Sequence, residues 1–198
     1  KGVMQKLFSQ QLRFKDENGN PYPDWEEKKL GEIANVKRGA GSQYIKYSDD
    51  LDHSIRLIRI GDFLGNDPVY VTATKEIQRF KLEKDDILIA GTGATAGITF
   101  LVPDTFIGLA YSYNAPRIKV IMQSTLYIIY FFKSHYIIKQ QRRLFTGNAQ
   151  PFLDTNAIKN FKLGIPTLVE QIKIANFLSS IDKKIDHTNN LIEKTREF

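Results

Sequence analysis

The side chains in this chain best suited to chemistry are cations, aromatics and amides gathered toward its C-terminal half. No Asp or Glu occurs between Thr105 and Leu153, yet Arg117, Lys119, Lys133, Lys139, Arg142 and Arg143 all fall there. That one stretch carries the whole formal excess of +6, leaving the rest of the chain balanced at 22 acidic and as many basic groups. A basic, aromatic-rich surface free of acids attracts polyanions, because each cation placed on a phosphate releases condensed counterions. Lys133, Lys139, Arg142 and Arg143 would supply that sequence-independent attraction. Bases are read by other means: bidentate Arg on guanine, Asn or Gln on adenine, Thr on a thymine methyl. "TGNAQ" from Thr146 to Gln150 offers such groups on a turn directly after the basic helix end, and "KRGAGSQYIKY" from Lys37 to Tyr47 is a second loop of that kind. The plainer alternative is that a basic helix end and an Asn-bearing turn are merely structural.

Catalytic arrangements are not found. "GTGATAG" at Gly91–Gly97 spaces its glycines one residue off the dinucleotide fingerprint and lacks the Lys-Ser/Thr of a phosphate loop, so it reads as a turn between two strands. His53, His135 and His187 are scattered without ligand-spaced companions, and no G-x-S-x-G elbow supports a serine nucleophile. In "PDWEEK" Asp24 stands too close to Glu26 and Lys28 for separate strands to present them around one metal. "YNAP" at Tyr113–Pro116 is not the Asn-Pro-Pro-aromatic motif that holds a flipped adenine. There is no Cys, hence no thiolate and no disulfide framework, which suits a reducing compartment. The longest apolar run, Leu126–Phe132, is too short to cross a bilayer. The expectation is a cytoplasmic protein without a membrane role.

The elements that must position these groups are partly legible. Lys1–Gln10 reads as the end of a helix, and "FKDENGNPYPDW" as a linker with an Asn18-Gly19 turn, so a domain should begin near Trp25. Short strands are expected in "SIRLIRIGDF", "DDILIAG", "GITFLV" and "PRIKVIM". Ser124 should cap one helix running to Phe145 with Gly147 as its stop, Asp154 should cap a short helix through Lys159, and "FKLGIP" should add a strand. Thr167 and Glu170 form a T-x-x-E capping box before a long apolar-periodic helix. Within it Ile174, Leu178, Ile181, Ile185, Thr188, Ile192 and Thr195 step by four and three residues, a heptad seam that calls for a partner helix. The competing reading is an amphipathic helix lying on its own domain.

These residues resemble the specificity subunits of type I restriction-modification systems. The resemblance is carried by Trp25 with "LGEI" and "KRG", by "RIGDF", "LEKDDILIAGTG" and "GNAQPFL", and most specifically by "IPTLVEQIKIANFLSSIDKKID" at Ile165–Asp186. Thr167 stands where the family often has a second proline. The implied fold is α+β: residues 1–24 as the end of a preceding helix and a linker, 25–166 as a β-rich target recognition domain with a few helices, and 167–198 as a conserved coiled-coil spacer helix. The opening "KGVMQKLFSQ" and the closing "EKTREF" look like parts of one helix cut from a tandem repeat, so the chain is expected to be the second half of a full subunit.

The resemblance also implies that the chain catalyses nothing. It would read one half of a bipartite double-stranded DNA site and dock methyltransferase subunits. S-adenosylmethionine would serve those subunits, and ATP and Mg²⁺ a restriction-translocase subunit. Base contacts do not transfer within such a family, so candidates rest on side-chain chemistry and loop position. They are Lys37, Arg38, Ser42, Gln43, Tyr44 and Lys46; Thr92 and Thr95; Tyr111, Tyr113 and Asn114; and Lys139, Arg142, Arg143, Thr146, Asn148 and Gln150. Three other readings compete: a half-subunit that homodimerises through the heptad helix to read a palindromic split site, a non-catalytic scaffold with a non-specific basic surface, and an enzyme. An enzyme would act on DNA alone with Mg²⁺, and a scaffold would lack the steep salt dependence of a DNA reader.

Overall fold

The structure is a computed structural model that describes residues 2–146 and 150–196. Chain order is α1 (Gly2–Phe8), β1 (Glu26–Lys29), α2 (Leu30–Ile33), β2 (Ala34–Lys37), β3 (Ser54–Ile58), β4 (Tyr70–Thr72), β5 (Asp86–Ile89), β6 (Thr99–Leu101), β7 (Ala110–Tyr111), β8 (Arg117–Val120), α3 (Thr125–Phe132), α4 (His135–Phe145), α5 (Thr155–Lys159), β9 (Lys162–Ile165) and α6 (Leu168–Arg196). Small sheets, short helices and one long final helix make this the α+β class that the sequence implied.

One sheet is antiparallel throughout, in the order β2-β8-β5-β6. A second runs β4-β3-β7, with β3 antiparallel to β4 and parallel to β7. β1 and β9 form a ribbon, Glu26 opposite Ile165 and Lys29 opposite Lys162. β5 is buried at all four positions because it is covered on both faces, which is why Ile87–Ile89 read as an unbroken apolar run after the buried Asp86. Ile87 and Ile89 point into the main core beneath α3, whereas Leu88 points into a second core with Ile58, Leu82, Val102 and Tyr111. β3 divides likewise, sending Leu57 to a third cluster with Val71, Ile77 and Ala110, and Ile58 to the second.

Several expected elements differ in detail. The single helix from Ser124 to Phe145 is two. The Ser124 hydroxyl does accept from Tyr127 N at 3.2 Å, but α3 ends at Phe132 and Ser134 begins α4. α3 is buried from Tyr127 through Phe132, while α4 buries only Ile137 and Gln141. The change from a wholly buried helix to a largely exposed one falls at Lys133–Ser134, where the chain breaks. Gln5 of α1 then accepts from His135 N at 3.0 Å, serving an orphan donor of the new helix start. The expected stop at Gly147 lies outside the described residues. Asp154 caps α5 as expected, accepting from Ala157 N at 2.7 Å.

"SIRLIRIGDF" is a strand only as far as Ile58, and Ile60–Phe63 form a 3-10 turn. The charges that alternate there converge on one buried carboxylate, with Arg56 and Arg59 both paired to Asp62 at 2.7 and 3.4 Å. The capping box at the start of α6 is only half made. Thr167 accepts from Glu170 N at 3.4 Å, but the fully buried Glu170 carboxylate turns away to accept from Arg13 Nη2 at 2.9 Å and Trp25 Nε1 at 3.2 Å. The linker is therefore docked along α6. Phe14 meets Phe177 edge to face at 5.5 Å, and Lys173 donates to the Lys15 carbonyl at 2.7 Å.

The heptad stripe divides in the same way. Ile174 and Leu178 are buried in the domain's own core, Ile181 is half-buried, and Ile185 and Ile192 are exposed. Thr188 and Thr195 are exposed and return their hydroxyls to carbonyls of their own helix, Lys184 and Leu191. The expectation of a seam wholly facing a partner is corrected for its first two positions, which attach the helix to its domain.

Candidate nucleic-acid interface

Four loop segments meet at a cleft of about 560 Å³ lined by Ser42, Tyr47, Arg59, Thr92, Tyr113 and Asn114, among others. Backbone hydrogen bonds hold three of these segments together and add the chain at Pro151–Leu153 beside them. Tyr113 N donates to the Ala40 carbonyl at 2.9 Å, Gly91 N to Asn114 at 2.9 Å, Leu153 N to Gly91 at 2.8 Å and Gly93 N to Pro151 at 3.1 Å. Gly39 permits the closest approach, since a Cβ there would stand 2.2 Å from the Tyr111 carbonyl oxygen. "GTGATAG" is indeed the connection from β5 to β6, with Gly97 at φ +89°. Gln141 of α4, buried, donates to the Gly97 carbonyl at 2.9 Å and so docks this turn on the basic helix.

The candidates read from sequence have different fates. Ser42, Thr92, Tyr113 and Asn114 line the cleft together, and Gln150 joins them by donating to the Thr92 hydroxyl at 3.4 Å. Gln43, Lys46 and Lys37 are exposed nearby in sequence, and Thr95 is half-buried within the glycine turn. Thr146 is exposed and donates its hydroxyl to the Arg142 carbonyl at 2.8 Å. Asn148 lies outside the described residues. Tyr44 packs its ring on Phe80 at 5.5 Å. Tyr111 is buried at 3% exposure, donates to the Arg38 carbonyl at 3.4 Å, and has its phenol pushed up chiefly by burial. A side chain so enclosed is part of the second core. Arg38 is engaged within the chain, as described below. Tyr47, Arg59 and Asn66 of the cleft wall were not among the candidates. Tyr47 sits in a loop already singled out, whereas Arg59 and Asn66 come close only through the fold.

The basic segment is contiguous in sequence but not in space. Arg117 reaches Asp86 at 3.3 Å and Glu83 at 3.5 Å, and Lys119 reaches Glu83 at 3.2 Å and Asp86 at 3.6 Å. Burial pushes the Asp86 carboxyl up, while the Lys119 hydrogen bond and the Arg117 charge hold Glu83 down. Two of the six cations are thus used inside the sheet. Lys133 lies over the Tyr130 ring at 5.2 Å. Lys139, Arg142 and Arg143 remain exposed on α4, with no acidic partner among the described residues. Lys139 and Arg143 border a groove of about 740 Å³ with Lys162, and Arg142 borders another of about 560 Å³ with Lys6 and His135. Among the described residues neither groove shares a lining residue with the loop cleft, so these residues form two surfaces where the sequence suggested one.

A model of the type I restriction modification DNA specificity domain matches residues 22–196. The type I restriction enzyme MjaVIII specificity subunit of Methanocaldococcus jannaschii is 27% identical over 204 residues, covering 94% of this chain and 47% of that protein. An HsdS subunit from Thermoanaerobacter tengcongensis superposes at a TM-score of 0.68 and 16% identity, over 96% of this chain and 44% of that one. The type I restriction-modification S subunit from M. genitalium does so at 0.60 and 18%, over 98% of this chain and 49% of that one. The chain spans about half the length of these relatives, and at such identities the two structures speak for the fold alone. The family model takes in nearly the whole chain, from the linker through α6, and this protein therefore belongs to the family of type I restriction-modification DNA specificity domains.

Proposed function

We propose that this chain reads one half of a split double-stranded DNA site as a non-catalytic recognition module. The observation that carries the reading is the loop cleft, where Ser42, Thr92, Asn114 and Gln150 gather hydroxyl and amide groups able to address base edges. Lys139, Arg142 and Arg143 on the outer face of α4 grip phosphates, adding affinity without sequence preference. α6 acts as the spacer helix that sets the distance to a second reading half, as rigid geometry does in two-fold DNA readers, and as the dock for methyltransferase subunits. Methyl transfer from S-adenosylmethionine belongs to those subunits. ATP-driven translocation and Mg²⁺-dependent cleavage belong to a restriction-translocase subunit.

The test is enrichment of random duplex DNA by this chain, alone and with its methyltransferase partner, followed by sequencing. A short enriched half-site, sharper with the partner, supports the proposal. No enrichment in either condition from a folded chain leaves the α4 surface as a non-specific polyanion binder. A second reading, a homodimer through α6 that reads a palindromic split site, is favoured by the exposed apolar side chains of Ile185, Leu191 and Ile192 beyond the domain. Sedimentation separates the two, since a dimer carries twice the chain mass and enriches inverted half-sites at one fixed spacing.

A further inference from the structure

We infer that Arg38 is the positioning residue of the cleft, holding in register the two segments that carry reading groups while making no contact with DNA itself. This inference rests on the proposal that the cleft reads DNA. The Arg38 guanidinium carbon lies 4.3 Å from the ring centroid of Tyr113 and 5.0 Å from that of Phe152. Its Nη1 donates to the Tyr113 carbonyl at 3.3 Å and its Nη2 to the Leu153 carbonyl at 3.1 Å.

One of the segments so joined bears Tyr113 and Asn114, and the other bears Gln150 and Phe152. Between them runs Gly91–Gly93, bonded to the first through Asn114 and to the second through Leu153 and Pro151. Arg38 is the side chain that spans from outer segment to outer segment. Tyr113 and Phe152 are 45% and 50% exposed, and among the described residues neither ring has an aromatic partner, so each rests on Arg38.

The residue type follows from the task. A guanidinium offers a flat face to aromatic rings and two donors in a fixed fork, so it serves two carbonyls at once. A lysine at this position keeps the charge but carries all its donors on one nitrogen and offers no plane. Arg38→Lys therefore separates two roles. If Arg38 met a DNA phosphate, Lys would replace it. If Arg38 fixes the spacing of Asn114 and Gln150, Lys loosens both.

The experiment compares the unaltered chain with Arg38→Lys and with Phe152→Leu, which removes one stacking face without changing charge, after thermal melting has checked that each folds. Random duplex is enriched on each, and affinity is measured for the enriched half-site and for a scrambled duplex across a salt series. Both variants should lower the half-site preference by roughly tenfold, at the same base positions. Affinity for scrambled duplex and its salt slope should stay within about twofold. Full preference in Arg38→Lys overturns the inference, as does relaxation at different positions by Phe152→Leu. Should Arg38→Lys fail to fold, the exposed Phe152→Leu decides it: relaxed preference supports the clamp and intact preference overturns it. An unaltered chain that enriches nothing fails the DNA-reading proposal and this inference together, an outcome distinct from a native half-site that the variants share.

Discussion

Four arginines show how far residue type falls short of role. Arg13 is consumed by the buried Glu170, Arg117 by Asp86 and Glu83, Arg38 by two carbonyls and two rings, and Arg142 is exposed on α4. At the cleft the amide of Asn114 is in the open, so Asn114→Ala should relax base preference at one or two positions by about 1–3 kcal/mol, read as a broadened half-site in the enrichment. Tyr130 allows a test without DNA. Its hydroxyl donates to Asp182 Oδ2 at 2.8 Å, and burial first, then that hydrogen bond, push the phenol up from 10.0 to about 12. The folded state therefore favours the neutral phenol. The stability this contributes is fully present below the ordinary phenol range and is lost as pH rises through about 12. Absorbance titration of phenolate should show a group ionising near 12 that Tyr130→Phe removes. Tyr127, more deeply buried, is pushed higher still.

At the scale of elements, α6 is two structures end to end. Its first turns belong to the domain, and Ile174→Ala should cost about 2–4 kcal/mol of stability in denaturant melts by opening a cavity in the main core. Ile192→Ala should leave those melts within about 0.5 kcal/mol, because the residue is exposed, while weakening whatever association the free half of the helix makes. The junction is held by Glu170, which gathers Arg13 from the linker and Trp25 from the domain start. Glu170→Ala should cost about 3–5 kcal/mol, because it leaves Arg13 and the indole N–H without their shared acceptor. Melting with far-ultraviolet circular dichroism as the probe reads this directly. A loss no larger than that of a surface Glu would show that the linker is not fastened by this carboxylate.

For the whole molecule the decisive quantity is where the net charge is free, not how large it is. Of the six cations in the acid-free stretch, Arg117 and Lys119 are spent on Asp86 and Glu83, while Lys139, Arg142 and Arg143 on α4 have no acidic partner among the described residues. Arg142→Ala combined with Arg143→Ala should weaken all duplexes alike and flatten the salt slope by about 2. Lys119→Ala should leave the slope almost unchanged. Equal effects of the two changes would mean that the β8 cations also face DNA.

The strands β3, β5, β6, β8 and β9, the helices α5 and α6, the caps at Ser124 and Asp154 and the glycine turn at residues 91–97 were legible in the chain. Each is decided by neighbours a few residues away, through apolar period, side-chain acceptors and glycine conformation. The motifs from Trp25 to Asp186 likewise carried the family. The separation of loop cleft from basic helix was not legible, nor the neutralising of Arg117 and Lys119, the turning of Glu170 toward Arg13 and Trp25, or the burial of Tyr111. All depend on pairs far apart in sequence, and a charged or aromatic side chain carries the same letter whether it meets water, a carboxylate or a core. Only the packing of β5 between two cores, and of the linker along α6, decided which of these side chains stayed free to meet a partner.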